Sequence, residues 1–167
     1  MKKISFLLAA ITTIGFNANA QERVKLLCQG NFHNPKYQYL NGVTTNGVVN
    51  LAPEADRAHS GAWWEKVRLG RDEVAFRCLG SYNNPRYVYL NGQTGNGAVN
   101  LVADTQPSGT HWREIHLHDG TVAFECLGSD HNPAHIYLNG LTVPGGVNLA
   151  ADKRENDASG THWTIER

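Results

Sequence analysis

Three sets of rings and amides recur along the chain at nearly fixed spacing. They are Tyr37, Tyr39, Asn41 and Asn50; Tyr87, Tyr89, Asn91 and Asn100; and His135, Tyr137, Asn139 and Asn148. An asparagine amide donates and accepts hydrogen bonds at once, and a tyrosine offers a flat apolar face beside a hydroxyl. Such a set suits a neutral ring bearing many hydroxyls and needs no charge. A further member follows each set, because Trp63, His111 and His162 each precede a repeated tryptophan, Trp64, Trp112 or Trp163. Strand alternation sends the tryptophan inward and its predecessor outward, so Trp63, His111 and His162 are expected on the surface as the last member of each binding set. Their distance from the rings and amides is set by tertiary packing.

Other reactive side chains suggest less. Cys28, Cys78 and Cys126 stand once per set, and in "VAFRC" the residues Val74, Phe76 and Cys78 share a strand face. The thiols are therefore expected as small buried hydrophobes. Structural zinc takes four ligands, so three equivalent thiols predict no metal. His116 and His118 share a face, but their counterparts in the first set are Arg68 and Gly70, which suits a solvated strand. Ser60, Ser108 and Ser159 precede a turn glycine. The repeated residues include no acid, and no catalytic triad, phosphate loop or zinc-protease helix appears. Catalysis is not expected, nor is a cofactor.

The chain opens with "MKK", continues through the apolar run "ISFLLAAITTIGF" and ends that stretch on "NANA". This order predicts a bacterial-style signal peptide over residues 1–20, with a secreted or periplasmic product. Its loss takes away Lys2 and Lys3 and no acid, so 13 of the 15 basic residues remain against 15 acidic ones. A formal charge of −2 argues against nucleic acid as a partner. No later stretch is apolar enough to span a membrane.

Positioning falls to a repeat. Residues 24–73, 74–121 and 122–167 each follow one order, typified by "VAFRCLG", "NPRYVYLNG", "GAVNLVA" and "SGTHWREI". Three copies without distinct end caps predict a closed array rather than an open solenoid. The segments are short, alternate with period two, and are bounded by Gly, Asn and Pro, so they predict strands, four per copy and twelve in all. Each "YLNG…VNL" reads as a hairpin. A loop centred on "QTGN" sets Leu90 opposite Val99, Val88 opposite Leu101 and Asn100 opposite Tyr89. The same register sets Tyr39 opposite Asn50 and Tyr137 opposite Asn148. The aliphatics then point inward, and the amides and rings outward.

This pattern resembles a β-trefoil over essentially the whole of residues 21–167, read as one domain. "WREIHLHDGTVAFECLG" is similar to the fascin-like branch, and "YLNG…VNL…HW" to the ricin-B-type lectin repeat. The resemblance implies an all-β fold of three pseudo-threefold repeats and a carbohydrate-binding, lectin-like module with up to three symmetry-related sites. Glycans are the expected partners. The competing expectation is a secreted trefoil that binds a protein, as an inhibitor or adhesion factor. It would act through one asymmetric loop, either Pro53–Trp64 or Ala151–Gly160.

Overall fold

The computed structural model describes residues 21–30, 34–53, 60–152 and 160–167. The leader and most of the two asymmetric loops lie outside them. Twelve strands form: β1 Glu22–Cys28, β2 Tyr39–Val43, β3 Val48–Ala52, β4 Trp64–Arg68, β5 Glu73–Cys78 and β6 Tyr89–Gly92, then β7 Val99–Val102, β8 Trp112–His116, β9 Val122–Cys126, β10 Tyr137–Gly140, β11 Val147–Ala150 and β12 Trp163–Glu166. Strands β1, β4, β5, β8, β9 and β12 pair antiparallel in a closed ring, a barrel with no free edge. The remaining six form three hairpins that cap one end. Tight turns between β4 and β5, and between β8 and β9, mark the opposite end, the foot.

Burial explains the arrangement. Trp64, Trp112 and Trp163 are fully buried, and each indole N–H donates to the carbonyl of Leu40, Leu90 or Leu138 at 2.9–3.3 Å. Phe76 and Phe124 meet edge to face, their centroids 5.1 Å apart. Truncating a buried tryptophan to alanine would cost about 3–5 kcal/mol, so the three indoles alone rival the net stability of a domain.

The hairpin register differs from the expectation by two residues. Leu90 lies opposite Leu101, Asn91 opposite Asn100, and Tyr89 opposite Val102, and the other two hairpins match. The predicted faces survive, because a slide of two keeps every side chain on its own side; only an odd slip would expose the leucines. The turn makes the choice. Gly97 takes φ 79°, its N–H donates to the Gln93 carbonyl at 2.8 Å, and the loop becomes Thr94–Gly97. Gly47 and Gly145 do the same at φ 79° and 78°.

A cyclic contact joins the copies. The ring of Tyr87 covers Gly47, that of His135 covers Gly97, and that of Tyr37 covers Gly145, each so closely that no side chain could stand at the glycine. The same glycine carbonyls accept from Leu101, Leu149 and Leu51 of the next copy at 2.7–2.8 Å. The cap is thereby closed around its axis.

Candidate functional site

Most of the residues expected to bind are already engaged. Asn41, Asn91 and Asn139 donate from Nδ2 to Oδ1 of Asn50, Asn100 and Asn148 at 2.7–2.8 Å. Asn41 and Asn91 are only 8% and 7% exposed, wedged against Gly61 and Gly109. These pairs clamp the hairpins, and Asn50, Asn100 and Asn148 keep a half-buried flank. Tyr37, Tyr87 and His135 are held by the glycines they cover. Tyr39, Tyr89 and Tyr137 stay half-buried on the hairpin flank; the Tyr39 hydroxyl donates to Glu166 at 3.3 Å.

The residues before the tryptophans form a second kind of clasp. Trp63 receives the Arg23 guanidinium 4.2 Å from its ring centroid, and Lys25 sits 5.2 Å from both Trp63 and Tyr39. His111 lies 3.5 Å from the Glu73 carboxylate and 3.1 Å from the Thr105 carbonyl. His162 meets Asp119 at 3.0 Å. Its expected surface position is corrected: it is 1% exposed, because the β8–β9 turn folds over it. Three chemistries serve one contact down the barrel wall, so these side chains do not join the amides in a common pocket, except that Trp63 and Tyr39 share Lys25.

The Thr121 hydroxyl, and next its backbone N–H, donate to Asp119 and hold its carboxyl below the ordinary value; burial opposes them, and His162 adds smaller lowering shares. Burial pushes the thiols of Cys28, Cys78 and Cys126 up to about 11, although backbone hydrogen bonds from nearby glycines pull the other way. Each thiol lies 3.5–3.8 Å from two glycine carbonyls. They are neutral buried hydrophobes, as expected, and spread between copies rather than gathered at the axis. Among the described residues no group of three His, Cys, Asp or Glu could hold a metal.

The open site lies where the second copy meets the third. A cleft of about 540 Å³ runs between the Thr94–Gly97 loop, the short 3-10 turn Ser108–Thr110 and the start of the β9–β10 loop. Gln93, Asn96, Ser108, Ser129 and Asp130 line it with amides, hydroxyls and one carboxylate, over a floor containing Gly92 and Gly109. The backbone N–H of Asp130 donates to Thr94 Oγ1 at 3.2 Å, and that of Ser129 to Ser108 Oγ at 3.0 Å, which fixes the two walls together. Of the predicted set only Asn91 touches this cleft. Sequence reasoning missed the rest because it sought repeated residues, whereas Asp130 replaces Tyr82 of the previous copy. Tyr82 is 65% exposed and borders a smaller cleft of about 250 Å³ between copies one and two.

Closed barrel, capping hairpins and threefold core together define a β-trefoil. No family model and no curated protein matches the chain. Among solved structures it is similar to a designed 3-fold symmetric protein, ThreeFoil, at 16% identity and a TM-score of 0.62, covering 87% of this chain and 98% of that one. At that identity the likeness carries the architecture alone. No helix among the described residues is long and apolar enough to cross a membrane.

Proposed function

We propose that this protein is an exported saccharide-binding module, non-catalytic, whose principal site is the cleft at the junction of copies two and three. The observation that carries the reading is the lining of that cleft. Gln93, Asn96, Ser108, Ser129 and Asp130 offer paired donors and acceptors to vicinal hydroxyls. The volume suits a mono- or disaccharide, within the range common for small-ligand sites. Asp130 supplies a charge-assisted acceptor, the strongest kind of hydrogen bond to a hydroxyl.

At the junction of copies one and two, exposed Tyr82 takes the place of Asp130 and offers a ring face instead. The module then carries unlike sites rather than three equal ones, and avidity would come from occupying both on one glycan. The leader-like residues 1–20 support export, with the periplasm or medium as the place of action.

The test is a glycan array followed by calorimetry on the best hit. The expected result is saturable binding that Asp130→Ala weakens at least about tenfold, the scale of losing one charge-assisted bond. An array blank at high protein concentration contradicts the reading.

A further inference from the structure

At the foot, far from the capping hairpins, β4 ends on Arg68, the turn to β5 carries Arg71 and Asp72, and β8 ends on His116. These residues, with Val74 and Glu114, enclose a cleft of about 200 Å³. Behind it lies Lys66, whose side chain is 8% exposed and whose Nζ lies 2.5 Å from Glu114 Oε1, without hydrogen-bond geometry, and 3.9 Å from Glu22 Oε2. Lys66 thus neutralises Glu114 in place. Of the two carboxylates that line the cleft, Glu114 is paired, and only that of Asp72 remains to set against Arg68 and Arg71.

Elsewhere among the described residues most guanidiniums are partnered; Arg86, exposed between β5 and β6, is the exception. Arg77 has Glu65 at 3.0 Å, Arg113 has Glu125 at 3.0 Å, Arg167 has Glu22, and Arg23 lies on Trp63. Among the described residues, Arg68, Arg71 and His116 have no ion pair or side-chain hydrogen bond. Nor does symmetry impose the arrangement. At the matching turn of the second copy, Asp119 stands where Arg71 stands and is committed to His162.

We infer that this cleft is a binding site for one tetrahedral oxyanion, a sulfate or phosphate group held between Arg68 and Arg71 with His116 at its edge. Guanidinium donors form a planar fork matched to such oxygens, and the apolar floor at Val74 lowers the competition from water. The group could arrive free or as an ester on a saccharide. The site is separate from the capping clefts and does not depend on their ligand.

Nuclear magnetic resonance tests it on the full mature chain at constant ionic strength, following the His116 ring and the arginine Nε–H signals. Titration with inorganic sulfate, and separately with inorganic phosphate, is expected to move His116 and Arg68 along a saturating curve, with chloride giving none. In the Arg68→Ser/Arg71→Ser double variant, whose spectrum elsewhere checks the fold, affinity should fall at least tenfold. A sulfated disaccharide that binds tighter than inorganic sulfate, while its unsulfated form does not bind here, assigns the ester; equal affinities assign the free anion. Shifts that never saturate, or that persist unchanged in the double variant, overturn the site.

Discussion

The cap and the junctions are built on opposite terms. In the cap, the three copies repeat the same contacts: asparagine clamped to asparagine, a ring over the preceding copy's glycine, a tryptophan donating to a leucine carbonyl. At the junction loops and the foot the copies part, with Tyr82 against Asp130, Arg71 against Asp119, and Lys66 and Glu114 against Ile165. Identity across copies marks what closes the ring, because each copy must fit the next one's identical socket. Divergence marks places where a copy is free of that demand, and the open clefts are found there.

Breaking the shared socket should cost most. A Cβ at Gly109 would land on the Gly92 carbonyl oxygen, and backbone cannot rotate away as a side chain does. Gly109→Ala is expected to destabilise by about 3 kcal/mol or more, read as the shift of the urea midpoint. Next comes the foot. Lys66→Ile leaves Glu114 charged and unpaired, at a cost of about 3–5 kcal/mol. The third copy already holds Ile165 at that place, so adding Glu114→Ile should restore most of the loss. A double variant no better than the single would show that the pair is not what holds these strands.

Smaller effects sharpen the comparison. Asn100→Ala strands the buried Asn91 amide and should cost about 1–3 kcal/mol, a fall in melting temperature that a purely ligand-facing asparagine would not give. The smallest expected effect is that of Asp119. Its folded carboxyl titrates below the ordinary 3.8, so its contribution is complete above that value and is lost as pH falls through the lower, folded one. Urea midpoints of Asp119→Asn should therefore trail the parent protein at neutral pH and converge with it as pH falls below the ordinary carboxylate value.

The architecture was legible because burial writes itself as period two: Leu40, Leu90 and Leu138 point inward as read, and three matched tryptophans name the core. The register was not, since alternation is blind to a slide of two, and only the left-handed turn glycines Gly47, Gly97 and Gly145 decide it. Tyr37, Tyr87 and His135 look like ligand platforms in one copy's sequence; the glycine each covers lies in another copy, beyond reach of local pattern. Asp130 and Tyr82 were passed over for the opposite reason. They differ between copies, and a search for repetition discards difference.

The most direct test assigns the amide signals and titrates residues 21–167 with a panel of simple neutral monosaccharides. Saturable shifts centred on Gln93–Asn96, Ser108–Gly109 and Ser129–Asp130, with weaker ones at Tyr82 and with Asn148 and Tyr137 unmoved, are the predicted result. Shifts centred on Tyr137 and Asn148, or no saturable shift with any sugar, would contradict the claim that ligands meet this protein where its copies differ.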